Sequence, residues 1–227
     1  MLRAAICIRF APPMIEELSA FRREIDALDD ELIALLKRRI GVVKQVGALK
    51  ERHKGPPCPI RPGREALMTR RIAEAFAGSD FPPAAAVALW RQIIGASTAA
   101  EAPLTLSVYA PQDAPDLFWL AREYFGPSAI ISRQPHAKRV VGDVLDKSAC
   151  VGIIPTFAPD DAASWNALLS TAEHAPRVFA MLPVAQGAKR LPQALAIASI
   201  APEDSGDDRS VYVLAASHDT SQHRLQM

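Results

Sequence analysis

The first part of the chain carries an apolar seam that only a long helix can form. Its ten positions repeat at steps of three and four residues without a slip, and they are Leu18, Phe21, Ile25, Leu28, Leu32, Leu35, Arg39, Val42, Val46 and Leu49. Such steps are typical of a helix that packs along its whole length. The seam predicts a helix from about residue 15 to residue 53, ended by Lys54, Gly55, Pro56 and Pro57, because glycine and two prolines do not continue a helix.

This helix is too long for its own chain to cover. At about 1.5 Å per residue it spans roughly 58 Å, whereas a compact domain of about a hundred residues has a radius of gyration of about 13 Å. A seam of that length needs a second copy of the helix beside it. We therefore predict a homodimer.

The pattern changes after two further helices. Proline and glycine clusters delimit helices over about 63–77 and 84–100, and Pro82 and Pro83 suit the opening turn of the later one. From residue 104 onward, short β-rich runs alternate with helical ones, which indicates an α/β sheet. The predicted strands are 104–109, 129–132, 150–154, 178–182, 194–200 and 211–215, and the predicted helices are 116–125, 137–145 and 162–172.

The expected architecture is a chain of two parts. An all-α three-helix domain over residues 14–102 precedes a small α/β domain over residues 103–217. Residues 1–13 are expected to be a disordered leader, or to precede a true start at Met14, because their apolar patch is shorter than that of a secretory signal.

Charge and cysteine content exclude several classes of protein. The formal net charge is +1 at pH 7, so a basic surface for nucleic acid is not expected. No apolar run in the sequence has the length of a membrane span. Cys7, Cys58 and Cys150 are far apart and lack metal-ligand spacing. We therefore expect no metal and a reducing, cytoplasmic location.

Arg39 is the one charge within the seam. A buried guanidinium without a partner is costly, so Arg39 should meet an anion, either a protein carboxylate or a ligand. Lys50 follows eleven residues later, so the two side chains project within about 20° of each other around the helix. Two cations on one face favour a dianionic ligand. The alternative is that Arg39 sets the register of a coiled coil and that Lys50 is solvated.

Arg22 cannot share a face of the same helix with Arg39. It lies seventeen residues earlier, which is roughly 100° away around the helix. In an antiparallel dimer it could reach the site of the partner. The alternative is an exposed ion pair with Asp26, four residues on.

The two later helices offer weaker candidates. Ser97 and Glu101 are four residues apart and share a face of the third helix. Arg64 and Glu65 open the second helix. Taken singly, each of these four is more typical of a surface or capping residue than of a ligand-binding one.

The first half of the chain resembles the all-α chorismate mutases. The likeness is carried by LSAFRREIDALDDELIALLKRRIGVVKQVGALK and continues through PIRPGRE and LWRQIIGAS. Within the long string, an arginine, I-D-A-L-D, L-L-x-x-R and V-G-x-x-K follow one another. The resemblance implies an intertwined dimer of three-helix chains with two active sites. It also implies conversion of chorismate to prephenate in aromatic amino-acid biosynthesis, with no cofactor.

The resemblance gives roles to the residues of the long helix and to Glu101. Arg39 and Lys50 would bind the enolpyruvyl carboxylate of chorismate. Lys50 and Glu101 would contact the ether oxygen. Arg22 would cross into the active site of the partner.

The same resemblance gives roles to the remaining candidates. Glu65 would hold the ring hydroxyl, Ser97 the ring carboxylate, and Arg64 would support the site from behind. Several relatives carry an aspartate shortly before the R-E pair, whereas this chain has Arg-Pro-Gly at residues 61–63 and is one residue shorter there. The hydroxyl contact would therefore depend on Glu65 alone.

Glu101 can donate a hydrogen bond to the ether oxygen only when it is protonated. Burial would favour the protonated form, whereas Lys50 would oppose it. We therefore expect activity to fall as the pH rises and Glu101 loses its proton, and a Glu101→Gln variant to lack this dependence.

The second half weakly resembles a shortened prephenate dehydratase domain. Residues 150–155 (CVGIIP) are similar to the strand that precedes an E-N-S motif in that family, but Thr-Phe-Ala-Pro follows here. Asp208 stands where that family has the threonine of a T-R-F motif. We therefore expect no dehydratase activity. Two alternatives to a mutase stay open, namely an isochorismate–pyruvate lyase of the same fold and a non-catalytic dimerisation or ligand-binding module.

Overall fold

The computed structural model has two parts, as the sequence predicts, namely three long helices followed by a small α/β sheet. It describes residues 12–53, 58–111, 117–156, 168, 170, 172, 174–183, 194–201 and 203–208. The helices in these ranges are α1 (Pro12–Arg52), α2 (Pro62–Ala75), α3 (Pro83–Glu101), α4 (Phe118–Phe125) and α5 (Ala137–Leu145). The strands are β1 (Thr105–Tyr109), β2 (Ile130–Gln134), β3 (Val151–Pro155), β4 (Arg177–Leu182) and β5 (Ala194–Ala198).

Helix α1 begins three residues earlier than predicted. Pro12 and Pro13, which we expected in a disordered leader, are helical, because a proline in the opening turn lacks only an N–H that has no partner there. The helix has 41 residues and ends at Arg52, within one residue of the prediction. Residues 1–11 and the four predicted helix-ending residues, 54–57, lie outside the described residues.

The apolar seam of α1 is uncovered within its own chain. Its nine apolar members are between 40% and 62% exposed, with Leu18 and Val46 at the lower limit and Phe21 at the upper. Their neighbours Ile33 and Leu36 are also exposed. A contiguous apolar surface of this kind marks an interaction site, because exposed apolar area is unfavourable in water.

Helix α3 is the centre of the helical part. It packs against α1, α2 and α4. Its buried face includes two polar residues, and its members are Ala86, Arg91, Ile94, Gly95 and Ser97. Both of these polar residues therefore need partners from neighbouring elements.

The sheet is mixed, with strand order β2-β1-β3-β5-β4. Strands β2 and β3 pair with β1 in parallel, whereas β5 pairs antiparallel with both β3 and β4. Helix α5 covers one face through Val140 and Val144, which pack with Ile154 and Ile197. Helix α4 packs on the opposite face, so strands β3 and β5 are buried on both sides and are apolar throughout.

The core of the sheet includes residues from the helical part. Cys58 and Ile60, which precede α2, are buried in the same cluster as Leu106 and Phe125. The Cys58 Sγ lies 3.7 Å from the Cys150 carbonyl oxygen, although the two cysteines are far apart in the sequence. The domain boundary at residues 102 and 103 stays a prediction, but packing crosses it.

Some predicted elements lie outside the described residues. Of the helix predicted over residues 162–172, the structure describes only residues 168, 170 and 172, and the strand predicted over 211–215 falls in an undescribed range. Within the described ranges, no helix combines the length and the hydropathy that a membrane crossing requires. The same ranges contain no cluster of three metal-ligating side chains.

Candidate active site

Two cations of α1 face two polar residues of α3. Arg39 Nη1 donates a hydrogen bond to Ser97 Oγ, and Lys50 Nζ forms an ion pair with Glu101 Oε1. Ser97 Oγ in turn donates to the Ile93 carbonyl oxygen at 2.6 Å, so the serine oxygen is left to accept from Arg39. The structure thus brings together four of the seven candidate residues as two pairs.

Gly47 permits the close approach of α1 to the end of α3. A Cβ atom at this position would lie 2.8 Å from the Glu101 carbonyl oxygen and 3.3 Å from its Cα. Any larger residue would therefore push the two helices apart. Because Lys50 follows Gly47 by less than one helical turn, this contact helps to place its side chain beside Glu101.

The positive charge of Arg39 is not neutralised by its hydrogen-bond partner. That partner is a hydroxyl and not a carboxylate. Burial lowers the pKa of Arg39, and the nearby charge of Arg64 lowers it further. An arginine keeps its proton at neutral pH even so. Arg39 and Arg64 are thus neighbouring cations, and Arg39 is only partly exposed to water. Such a pair favours the binding of an anion.

Glu65 faces a different partner. It is 9% exposed, and its Oε2 atom accepts a hydrogen bond from Arg91 Nη1 at 3.2 Å. Its Oε1 atom accepts from the Arg61 backbone N–H at 3.4 Å. Burial raises the pKa of Glu65, and the charge of Arg91 opposes this rise. Glu65 is thus a buried carboxyl held by an ion pair with Arg91.

Arg91 is a functional candidate that sequence reasoning missed. Its guanidinium lies over the ring of Tyr124, with the carbon of the guanidinium 3.4 Å from the ring centroid. A signal was present, because Arg91 is four residues after Val87 and three before Ile94, both apolar. A charge among the apolar positions of α3 needs an anionic partner, as the sequence analysis argues for Arg39 in α1.

The N-terminus of α2 is closed by a residue of the α/β part. Glu203 forms an ion pair with Arg61 and accepts a hydrogen bond from the Gly63 backbone N–H at 3.1 Å. A carboxylate is favourable at this end of a helix because the free N–H groups carry partial positive charge. Glu203, from a distant segment of the chain, thus closes the N-terminus of α2.

Arg64 and Arg22 do not join the site through direct contacts within one chain. Arg64 is exposed in the opening turn of α2 and reaches the site only through the effect of its charge on Arg39. Arg22 is exposed on α1. Seventeen residues of helix place it about 25 Å from Arg39 along the axis.

An open pocket of about 430 Å³ lies between α1 and α3. Its lining is apolar apart from Arg39 and Gln92, and it consists of Leu36, Arg39, Ile40, Gln92, Ile93, Ala96 and Pro127. The volume is within the range of small-molecule sites. Lys50 and Glu101 do not line it, however, so the charged site and this pocket share only Arg39.

Comparison with known proteins finds a family model that matches most of the helical part. The family model described as chorismate mutase type II matches residues 21–102. This range contains all seven candidate residues. No solved structure matches the chain significantly.

The chain is also similar to longer proteins named bifunctional chorismate mutase/prephenate dehydratase. The relative from Aquifex aeolicus is 30% identical over 62% of this chain and 39% of its own length. The relative from Neisseria gonorrhoeae is 33% identical over 43% of this chain and 25% of its own length. The relative from Pseudomonas aeruginosa is 26% identical over 70% of this chain and 44% of its own length. The chain thus spans less than half the length of each.

The likeness to these relatives is not confined to the three helices. The alignment with the Aquifex aeolicus protein covers 142 residues, which is more than the helical part contains, so the similarity continues into the α/β part. Residues 21–102 thus match the chorismate mutase type II family, and the similarity to bifunctional chorismate mutase/prephenate dehydratases continues into the α/β part.

Proposed function

We propose that this chain is a chorismate mutase, which converts chorismate to prephenate without a cofactor and acts as a homodimer. One observation carries the proposal. Within the residues that match the mutase family, Arg39 and Lys50 of α1 lie against Ser97 and Glu101 of α3. These residues present two cations, a hydroxyl and a carboxyl to one site.

The reaction needs no more than such a site provides. Chorismate rearranges in a unimolecular pericyclic step, so no nucleophile, metal or redox group is required. The protein must hold the two carboxylate-bearing arms in the reactive conformer, which is a task of positioning. It must also stabilise the negative charge that grows on the ether oxygen as the C–O bond breaks, which a fixed cation does well.

Arg39 and Lys50 suit these two tasks. The planar guanidinium of Arg39 matches the enolpyruvyl carboxylate, because two parallel hydrogen bonds fix its orientation. Lys50 is a point charge and suits the developing charge on the ether oxygen. The contact of Arg39 with a hydroxyl leaves its charge available for the substrate. Arg64 adds positive potential nearby.

The polar residues of α3 and α2 complete the proposed contacts. Ser97 binds the ring carboxylate, and Glu101 contacts the ether oxygen in its protonated form. Glu65 accepts a hydrogen bond from the ring hydroxyl. The pairs Arg39–Ser97 and Lys50–Glu101 hold these side chains close together, so the substrate exchanges those contacts for its own.

The dimer follows from the uncovered seam of α1. Nine apolar side chains at 40% to 62% exposure need a partner, and a second copy of the same seam is complementary to them in length and in chemistry. In an antiparallel pair of α1 helices, Arg22 of each chain reaches the site of the other. Each active site is then built from both subunits.

We also propose that the α/β part has no dehydratase activity of its own. Thr-Phe-Ala-Pro at residues 156–159 and Asp208 replace the motifs of that family. Incubation with prephenate should therefore give no phenylpyruvate, even at high protein concentration.

A turnover assay tests the proposal. Wild type, Lys50→Ala and Arg39→Ala are incubated with chorismate, and prephenate is measured. We expect each variant to lose about 10²- to 10³-fold in kcat/KM, the usual cost of removing one charge-stabilising group. Lys44→Ala and Arg38→Ala are matched controls, because both remove an exposed cation of the same helix, and we expect them to keep activity.

Each other outcome is informative. A wild-type protein that leaves chorismate unchanged contradicts the proposal. Isochorismate supplied in parallel identifies the lyase, since that reaction releases pyruvate. Inertness towards both substrates, with an Arg39→Ala variant that changes oligomeric state, identifies a dimerisation module.

A further inference from the structure

Arg91 is a buried cation to which the proposed substrate contacts give no role. It is 7% exposed, and it lies between Glu65 of α2 on one side and the ring of Tyr124 of α4 on the other. Its Nε atom is buried without a hydrogen-bond partner. A guanidinium kept in such surroundings is costly unless its other contacts compensate.

We propose that Arg91 is a positioning residue for Glu65, and that Tyr124 holds Arg91 in place, so that the α/β part completes the mutase site. The inference rests on the proposed function, in which Glu65 accepts a hydrogen bond from the ring hydroxyl. It gives the α/β part a role that does not need the missing dehydratase motifs.

The first step concerns the charge of Glu65. Burial is the main cause that raises its pKa, and the negative charge of Glu203 adds to it. Arg91 is the largest influence in the opposite direction. The Cys58 thiol of the preceding loop also lies within electrostatic range. Without Arg91, the surroundings of Glu65 would favour its protonated form. A protonated carboxyl can no longer accept a hydrogen bond from the substrate hydroxyl at either oxygen alike, because one oxygen carries the proton.

The second step concerns the orientation of Arg91. Only one of its terminal nitrogens is bonded to Glu65, at 3.2 Å, so the ion pair alone does not fix the plane of the guanidinium. The ring of Tyr124, 3.4 Å away at its centroid, provides the flat surface on which that plane rests. A planar guanidinium lies flat against an aromatic face, whereas the ammonium of lysine has no plane to align.

The third step concerns the rigidity of the support. Helix α4 is fixed to α3 at two points close to Tyr124. Gln92 Nε2 donates to the Glu123 carbonyl oxygen at 3.0 Å. Gly95 lies so close to Phe125 that a Cβ atom there would be 2.7 Å from the Phe125 carbonyl carbon. Tyr124 is thus held in place between two contacts.

The pH profile of kcat/KM for chorismate tests the proposal. If Glu65 acts as a carboxylate, activity rises with pH on the acid side as Glu65 loses its proton. Arg91 lowers the pKa of Glu65, so an Arg91→Gln variant should show this rise at higher pH than wild type. Glu65→Gln should remove the rise in both backgrounds. Arg71→Ala, which removes an exposed arginine of α2, is the matched control and should leave the rise in place.

A purely structural role gives a different result. If Arg91→Gln lowers kcat/KM equally at every pH and the acid side does not move, the proposal is wrong. Far-ultraviolet circular dichroism confirms that each variant is folded. If Arg91→Gln does not fold, the pH profiles of kcat/KM for the Tyr124 variants test the proposal instead.

The Tyr124 variants test the support from the α/β part. Tyr124→Phe keeps the ring but removes the hydroxyl, which also interacts with Arg91, so it should shift the profile less than loss of the ring does. Tyr124→Leu removes the ring, and we expect a loss of about 5- to 30-fold in kcat/KM, the range for a desolvated cation–π contact, together with a shift of the acid side to higher pH. Equal profiles for the two variants contradict the proposal.

Failure of the proposed function can be told apart from failure of this inference. If wild type does not turn over chorismate, the titration of the Glu65 carboxyl is followed by NMR with and without Arg91→Gln. A raised pKa in the variant supports the positioning role. An unchanged pKa overturns it.

Discussion

Arg39 and Arg91 are both cations within apolar surroundings, and they differ in what they meet. Arg91 faces a buried carboxylate, Glu65, which neutralises its charge within the chain. Arg39 meets the hydroxyl of Ser97, which does not. A partly buried charge whose partner is neutral is the one available to a ligand. This difference separates the proposed substrate-binding arginine from the proposed positioning arginine.

Glu101 allows a prediction about how the proton on one carboxyl group affects activity. Its protonated form is the one that can donate to the ether oxygen, so wild-type activity should fall as the pH rises and that proton is lost. A Glu101→Gln variant carries a permanent donor and should lack this fall, while it keeps the rise on the acid side that we assign to Glu65. The measurement is kcat/KM for chorismate across the pH range.

The same profiles can contradict this role for Glu101. Lys50 forms an ion pair with it. If wild-type activity is flat from acid to alkaline pH, or if Glu101→Gln still shows the alkaline fall, Glu101 does not act as the donor.

At the scale of the elements, the sequence predicts where helices and strands lie better than it predicts which elements pack against each other. Helix α5 has both predicted ends, and α3 is one residue longer than predicted at each end. Periodicity indicates which face of an element is buried, but not which element covers that face. For this reason neither the stacking of Arg91 on Tyr124 nor the burial of Cys58 in the sheet core could be predicted.

The close packing of α3 on α4 gives a prediction about stability. Gly95→Ala should lower the free energy of unfolding by about 1–3 kcal/mol, because the added methyl group clashes with the Phe125 carbonyl and the backbone must shift. Gly142→Ala is the matched control. It lies inside α5 with nothing within 4 Å of an added Cβ, so it should stabilise the protein by about 0.5–1 kcal/mol.

Urea-induced unfolding at fixed protein concentration measures both changes. A Gly95→Ala variant as stable as wild type would contradict the observed proximity of the two helices. Since these helices carry Arg91 and Tyr124, that result would also weaken the proposed link between the α/β part and the mutase site.

At the scale of the whole molecule, we propose two roles for α1 that depend on each other. Its seam is uncovered in the single chain, and two of its cations face α3 in the candidate site. The length of the seam allowed the sequence to predict both the helix and its need for a partner. A site shared between subunits was allowed by the helix geometry of Arg22 and implied by the family resemblance, because one chain cannot show which residues a second copy contributes.

The central claim is that α1 forms the dimer interface and also one wall of an active site shared between subunits. Mixing two inactive variants tests it most directly. The Arg22→Ala variant lacks the residue that contributes to the partner's site. The Arg39→Ala variant lacks a residue of the site in its own subunit. A mixed dimer of the two has one complete site, and random pairing makes half of the dimers mixed, so the mixture should recover about a quarter of wild-type chorismate mutase activity. A co-expressed mixture no more active than its two parents would contradict the account.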